Sequence, residues 1–264
     1  MSGASIIYDQ PMADYLAEPA ISASAIIAGT KSMLHMRHAM ISKHDDSAPS
    51  TDWGTAVHNC LAYGLDKFAV YRGKIRRGNE WDEFKAAHDA SMIVTASEYE
   101  ELTYVRRAVE ANPVVREWMT DARSEVGVYW KEGKCRFDAL SAMHFIDWKT
   151  TGDISPYRFE AQAFRLGYHV KMAWYLRGAR AAGHDPAPHI VAIESEPPYD
   201  VVPYVIDAEM IEYGDTVCTR VVAEYKACMA SGVFPGVHSD EAVLSLPTWA
   251  IEQSMTIGEE RVAV

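Results

Sequence analysis

The sequence has few cysteines and no long hydrophobic run. Its four cysteines are spread over 264 residues, and no two of them are separated by only two residues. This distribution favours reduced, buried thiols in a cytoplasmic protein. No 18 consecutive residues are apolar, and the first ten residues lack the basic and hydrophobic parts of a secretory signal. We therefore expect neither a membrane span nor export.

A serine-nucleophile motif and an excess of basic residues are also missing. The pattern Gly-x-Ser-x-Gly does not occur, which argues against an unrelated hydrolase that uses such a nucleophile. The net charge is −12, with 48% apolar residues. A chain of this size and composition can bury one sizeable core, so a single α/β domain with helical additions is the default expectation.

Two acidic residues and a lysine lie on two predicted neighbouring strands, residues 134–140 and 144–149. Asp138 is on the first strand, and Asp147 and Lys149 are on the second. Because side chains alternate along a strand, Asp147 and Lys149 share a face. Two carboxylates can hold Mg²⁺ against a phosphate, and a nearby lysine stabilises the charge that develops there. By itself, the same spacing is also typical of a solvated hairpin end.

Two predicted helices flank these strands. The sequence GTAVH opens one helix at residues 54–58, and GYHVKMAWYL forms another at residues 167–176. Together with the acidic pair, they resemble the RecB-like nucleases of the PD-(D/E)xK superfamily, in which a helical histidine reaches the metal. The resemblance makes His58 a third candidate ligand, although a lone helical histidine is more often a packing or capping residue. Lys171 and Tyr175 lie one turn apart on the second helix.

A narrower resemblance covers about residues 20–250, to the exonuclease VIII (RecE) C-terminal nuclease type of phages and prophages. The order and spacing of eight segments carry it: ISASAI (21–26), GTAVH (54–58), SEVGVYW (124–130), CRFDAL (135–140), IDWKTTGDISP (146–156), GYHVKMAWYL (167–176), ESEPPYDVVPY (194–204) and SLPTW (245–249). It implies a restriction-endonuclease-like α/β core, with a central mixed sheet flanked by helices and helical N-terminal additions. We expect one nuclease domain over residues 1–264, ending in an acidic tail at about 250–264.

The resemblance also implies an activity. It predicts a metal-dependent exodeoxyribonuclease that digests linear double-stranded DNA processively from 5′ to 3′ and leaves a 3′ single strand for an annealing protein. Mg²⁺ is the expected cofactor, with Mn²⁺ able to substitute, and the protein is expected to form a homo-oligomeric ring in a bacterial cytoplasm. Some relatives hold an iron–sulfur cluster on one N-terminal and three clustered C-terminal cysteines. This chain lacks that pattern, so no cluster is expected.

The predicted site consists of catalytic, metal-binding and supporting residues. Asp138, Asp147 and Lys149 are assigned to catalysis, and His58, the two aspartates and the backbone carbonyl of Ile146 to the metal. The residues assigned to supporting the site or contacting DNA are Glu125, Lys171, Tyr175, Ser22, Ser24, Arg37 and Arg136. For the two serines, capping of a helix N-terminus is the simpler role, and binding of a terminal phosphate is the alternative.

Two residues depart from the family pattern. Phe137 replaces the proline that gives the superfamily its name, which leaves the adjacent carboxylate in place. Lys171 stands where the family usually has glutamine. A lysine there can contact a phosphate, pair with an acid of the site or weaken metal binding, and a simply solvated lysine is the ordinary alternative.

The acidic residues are unevenly distributed. From Asp200 onward, 11 acidic and three basic residues contribute −8 of the net charge. Two basic clusters lie earlier, at residues 31–44 and 72–77. These clusters are compatible with a basic DNA-binding channel in an otherwise acidic surface, and equally with an ordinary solvated surface.

The remaining predicted elements follow from capping and periodicity. We expect four helices: one that begins at Ser22 or Ser24, one at 97–110 with a capping box, a short one after Asn112, and one at 208–231 that ends at Gly232. We expect the sheet to begin with a strand at 124–130 and to include a hairpin of strands 188–196 and 201–207.

Two alternatives to an exonuclease remain. One is a structure-specific endonuclease of the same superfamily, which does not need a DNA end. The other is a DNA-binding module that has lost turnover, for which Lys171 is the only hint in the sequence.

Overall fold

The computed structural model describes residues 3–42, 53–238 and 240–248, which form an α/β fold. The helices are α1 (Met12–Ala17), α2 (Ala23–Lys31), α3 (Met33–Ile41), α4 (Trp53–Tyr63), α5 (Asn79–Ala87), α6 (Ala96–Ala111), α7 (Pro113–Trp118), α8 (Pro156–Arg165), α9 (Tyr168–Ala181) and α10 (Ala208–Ser231). The strands are β1 (Ser5–Ile7), β2 (Ala69–Tyr71), β3 (Ile93–Thr95), β4 (Arg123–Trp130), β5 (Gly133–Leu140), β6 (His144–Thr151), β7 (Ala187–Glu194) and β8 (Val201–Val205). The predicted tail at 250–264 and two members of the first basic cluster, Lys43 and His44, lie outside the described residues.

The central sheet has six strands in the order β1-β4-β5-β6-β7-β8. Neighbouring strands are antiparallel except for β6 and β7, which are parallel. A parallel pair needs a long connection from one end of the sheet to the other, and here α8 and α9 form it. The predicted mixed sheet is therefore confirmed.

Hydrophobic cores cover both faces of this sheet. One core joins the sheet to α2, α3, α9 and α10, and its fully buried members include Phe137, Phe145 and Trp174. The other joins it to α4, α6 and α7, and contains Leu102 and Trp148. Burial of each large apolar side chain contributes about 1.5–3 kcal/mol, so both layers hold the sheet in place. Within the described part of the chain, no helix is both long and apolar enough to cross a membrane.

Local sequence signals explain most helix boundaries. Ser22 caps α2 by accepting a hydrogen bond from the Ala25 backbone N–H, at 3.3 Å. Thr95 and Glu98 form the predicted capping box of α6. At the end of α10, Gly232 adopts a left-handed conformation with φ 75°, which glycine reaches without a steric cost. The predicted hairpin after α9 is present as β7 and β8.

The shortest strands were not predicted from the sequence. We expected residues 124–130 to be the first strand of the sheet, but β1 precedes them and pairs antiparallel with β4 at the sheet edge. A second, two-stranded parallel sheet joins β2 and β3. Each of these strands has three residues, which is too short for alternation of polar and apolar side chains to identify it.

The strands β5 and β6 separate from each other partway along their length. Each has eight residues, yet they pair only at Ala139 with Ile146 and at Leu140 with Phe145. By contrast, β6 pairs with β7 along all eight residues. The residues just past the last paired rung therefore face a gap between strands, and these residues are Asp138 and Asp147.

A pair of histidines bridges the start of β6 and β7, away from this gap. The Nδ1 atom of His144 lies 2.9 Å from Nε2 of His189, and Trp118 stacks on the His189 ring at 3.7 Å. His189 is buried, and its Nδ1 lacks a hydrogen-bond partner among the described residues. Burial and the neighbouring His144 lower the pKa of His189 to about 4.

We expect His189 to make the fold acid-sensitive. Its pKa is lower in the folded protein than in the unfolded chain, so the unfolded chain takes up the proton first as the pH falls below about 6.5. The contribution of neutral His189 to the free energy of unfolding is therefore fully present above that pH. It falls by about 3 kcal/mol as the pH is lowered towards 4. Urea unfolding across this range should show a shallower pH dependence for His189→Gln than for the wild type. The exposed control His184→Gln should follow the wild type, and equal slopes for all three proteins would contradict the assignment.

Candidate active site

The carboxylate of Asp147 lies between two lysines. Lys149 follows it on the same face of β6 and forms an ion pair with Oδ2, and Lys171 reaches it from α9 and forms an ion pair with Oδ1. Only 1% of the Asp147 side chain is exposed, compared with 16% for Lys149 and 21% for Lys171. The two ammonium groups therefore cover the carboxylate on its solvent side.

The lysines keep this buried carboxylate ionised. Burial raises the pKa of Asp147, but the combined effect of Lys149 and Lys171 lowers it by more, so the pKa lies well below its ordinary value. Burial lowers the pKa of Lys149, and Asp147 offsets part of that effect. For Lys171, burial opposes the charge, but Asp147 and other neighbours raise the pKa above its ordinary value. The result is a compact cluster in which two ammonium groups contact one carboxylate.

The two lysines differ in their remaining contacts. Lys149 Nζ also donates a hydrogen bond to the backbone carbonyl of Trp148, at 3.0 Å, and lies 5.3 Å from the centre of the Tyr168 ring. Lys171 Nζ lies 5.1 Å from the centre of the Tyr175 ring, on its own helix. Lys149 therefore has an additional hydrogen bond that fixes its position.

Asp138 lies in the gap between β5 and β6. Its Oδ2 accepts a hydrogen bond from the Trp148 backbone N–H, at 2.9 Å, which satisfies a β6 amide at the point where strand pairing has ended. The same oxygen lies 3.6 Å from Nδ1 of His58, on α4. Helices from the two opposite layers thus reach the gap, α4 with His58 and α9 with Lys171.

A second buried ion pair joins Glu125 of β4 to Arg136 of β5. The Glu125 side chain is 4% exposed and the Arg136 side chain 8%. Arg136 also donates from Nε to the backbone carbonyl of Gln10, at 3.0 Å. Burial raises the pKa of Glu125 to about 7, while Arg136 lowers it and Asp138 raises it. Arg136, which we expected to support the site or contact DNA, is thus a buried partner of Glu125.

The structure brings five of the predicted residues into one cluster: His58, Asp138, Asp147, Lys149 and Lys171. Tyr175 lies beneath it, packed edge-on against Phe137.

Other predicted residues lie outside these ion pairs. Ile146 belongs to the paired part of β6, opposite Ala139. Ser22 caps α2, and Ser24 is exposed on the same helix. Arg37 on α3 packs over the Phe234 ring at 4.6 Å.

Several groups at the site were not predicted from the sequence. These are the backbone N–H and carbonyl of Trp148, the Tyr168 ring and the backbone of Gln10. Tyr168 directly follows the glycine that opens α9, and that position was a usable signal. The backbone groups leave no trace in the side-chain pattern.

The donor atoms near the gap suit a divalent cation. Two carboxylates and an imidazole are suitable ligands for such an ion, and His58 and Asp138 already lie together. Asp147 instead contacts an ammonium group through each of its oxygens. Among the described residues, no group of three or more histidine, cysteine, aspartate or glutamate side chains is arranged to hold a metal ion.

We expect Arg136 to be essential to stability because its partner is buried. At pH 8, Arg136→Met should lower the free energy of unfolding by about 3–5 kcal/mol, because Glu125 loses its partner and must either stay charged while buried or take up a proton. The double variant Glu125→Gln with Arg136→Met should recover most of that loss. The control Arg180→Met removes an exposed pair with Asp185 and should cost at most about 1 kcal/mol. Equal losses for the single and double variants in urea unfolding would contradict this account.

Comparisons with known proteins agree with this fold. A search of curated proteins gave no match. Among solved structures, the chain is similar to the crystal structure of a protein named "Putative exonuclease" from Eubacterium rectale, with a TM-score of 0.60 and 10% sequence identity. The alignment covers 93% of this chain and 98% of that one. At such low identity the likeness concerns the fold. Residues 26–243 match the family described as a PDDEXK-like domain of unknown function (DUF3799), and the chain belongs to that family.

Proposed function

We propose that this protein is a metal-dependent exodeoxyribonuclease that degrades linear double-stranded DNA from its ends. The observation that carries the proposal is the position of Asp138, Asp147 and Lys149 at the gap between β5 and β6. Two carboxylates and a lysine on adjacent strands are the groups that phosphodiester hydrolysis with a divalent cation requires. The PDDEXK-like family and the name of the Eubacterium rectale protein support the same class of reaction.

Each residue has a role that follows from its surroundings. Asp147 is held ionised, so it offers carboxylate oxygens at neutral pH. Lys149 is fixed by Asp147 and the Trp148 carbonyl, and its ammonium can orient the attacking water or stabilise charge on the phosphate. Asp138 is oriented by the Trp148 backbone N–H, which leaves its other oxygen available as a ligand.

The cation we propose is Mg²⁺, with Mn²⁺ able to substitute. The groups that would hold it are His58, Asp138, Asp147 and the backbone carbonyl of Ile146 on β6. When bound, such an ion acts as a Lewis acid towards the phosphate and makes a water more acidic.

Further features of the proposal rest on the resemblance to the exonuclease VIII type. They are 5′ to 3′ polarity, processive release of mononucleotides, a single nuclease domain, a ring of identical subunits, a single-strand annealing partner and action in the cytoplasm of a bacterial host. A 3′ single strand left by such digestion is the substrate that recombination by annealing needs.

The charge distribution is compatible with DNA binding. In the second basic cluster, Arg72, Lys74 and Arg77 are exposed, whereas Arg76 forms an ion pair with Glu98. Arg37 of the first cluster is exposed as well. Such residues provide the phosphate contacts on which affinity for DNA depends.

The proposal predicts Mg²⁺-dependent release of acid-soluble nucleotides from a linear 5′-phosphorylated duplex, while a covalently closed circle stays intact. Asp147→Asn should reduce the cleavage rate at least about 100-fold, because it removes a negatively charged group that is proposed to bind the divalent cation. Lys149→Gln tests the site independently if the first variant folds poorly. The exposed carboxylate variant Asp185→Asn should keep the wild-type rate.

Two other results of this assay would indicate a different function. Cleavage of the closed circle would indicate a structure-specific endonuclease of the same superfamily. Binding of the duplex without cleavage of either DNA would indicate a binding module that has lost turnover, and would reject the exonuclease.

A further inference from the structure

A cation that approaches Asp147 from solvent meets two lysines that already contact the carboxylate. Both oxygens of this carboxylate contact an ammonium group, and its side chain is 1% exposed. The lysines, not the carboxylate, form the accessible surface of the cluster. A metal ion that reaches this carboxylate from solvent therefore competes with a lysine for it.

Lys171 is the lysine that can leave. Lys149 is tied to the Trp148 carbonyl and belongs to the same rigid strand as Asp147. Among the described residues, Lys171 Nζ contacts Asp147 and the Tyr175 ring, and the Lys171 side chain is the more exposed of the two lysines at 21%. A long, flexible lysine side chain can reach a nearby phosphate without any movement of the backbone.

The formal charge of the cluster explains why this exchange needs a substrate. Asp138 and Asp147 are balanced by Lys149 and Lys171, and Glu125 is balanced by Arg136. A divalent cation entering this neutral cluster gives it an excess of positive charge at low solvent exposure, which is unfavourable. A DNA phosphate both supplies negative charge and offers Lys171 a new partner.

We propose that Lys171 is a displaceable counter-ion that couples metal binding to DNA binding. It neutralises Asp147 in the DNA-free protein, and it moves to a backbone phosphate when DNA arrives, so that Asp147 becomes available to the metal. This inference rests on the proposed function, because it takes DNA and a divalent cation to be the ligands of this site. Lys171 is here a positioning residue that controls when the metal binds.

The coupling can be measured without cleavage. Calorimetric titration with Ca²⁺, which shares the preference of Mg²⁺ for oxygen ligands, gives the affinity of the protein alone and in the presence of a saturating short 5′-phosphorylated duplex. Electrophoresis of the recovered duplex checks that it stays intact. By thermodynamic linkage, the factor by which DNA strengthens Ca²⁺ binding equals the factor by which Ca²⁺ strengthens DNA binding.

For the wild type, we expect the duplex to tighten Ca²⁺ binding at least about tenfold. Lys171→Gln should bind Ca²⁺ at least about tenfold more tightly than the wild type without DNA, and the duplex should then change its affinity less than about threefold. Lys171→Arg keeps the charge and should retain most of the coupling. Lys131→Gln, in the exposed turn between β4 and β5, should behave as the wild type.

Two results would overturn the inference. One is equal Ca²⁺ affinity of the wild type and Lys171→Gln without DNA, and the other is an equal effect of the duplex on both proteins. Thermal unfolding confirms that each variant is folded. Cleavage of linear duplex by the wild type with Mg²⁺ separately decides the proposed function, so an inactive wild type that still shows the coupling would reject the nuclease and not the role of Lys171.

Discussion

The buried negative charge of Asp147 is the constraint on which the arrangement of the site depends. A carboxylate that is 1% exposed is stable as an ion only where opposite charges and hydrogen-bond donors replace the lost water. Lys149 and Lys171 supply those charges from a strand and from a helix. The position of α9 against the sheet therefore affects the charge balance of one side chain, because a shift of the helix would leave Asp147 with Lys149 as its remaining ammonium partner.

The separation of β5 and β6 makes room for this cluster. Full pairing would use the Trp148 amide in the sheet ladder and close the space beside it, whereas here that amide binds the Asp138 carboxylate at 2.9 Å. The two hydrophobic cores hold the strands on either side of the gap, so the gap remains although it has lost strand-to-strand hydrogen bonds. Packing thus sets the shape of the site, and the ion pairs set its charge.

Much of the site was accessible from the sequence, because its charged members lie in recognisable local patterns. Alternation placed Asp147 and Lys149 on one face, and helical spacing placed Lys171 next to Tyr175. The Arg136–Glu125 ion pair and the edge strand β1 were not predicted. They depend on contacts such as the hydrogen bond from Gln10 to Tyr129, across 119 residues, which no local pattern encodes. The sequence also did not predict that Lys171 pairs with Asp147, since contact with a phosphate, pairing with an acid of the site and weakening of metal binding were all compatible with a lysine at this position.

A role in a reaction on a phosphate explains the two ion-pair clusters better than a contribution to the stability of the fold does. Replacing a buried ion pair with apolar side chains of similar volume is often neutral or stabilising by about 1–4 kcal/mol, so such pairs do not by themselves favour the fold. Here a buried pair between Glu125 and Arg136 lies beside a second cluster around Asp147, where apolar packing is available on both sheet faces. A fold stabilised by its cores can tolerate these charges. Keeping them at one gap in the sheet provides an ionised carboxylate with cations at close range, which is what a reaction on a phosphate requires.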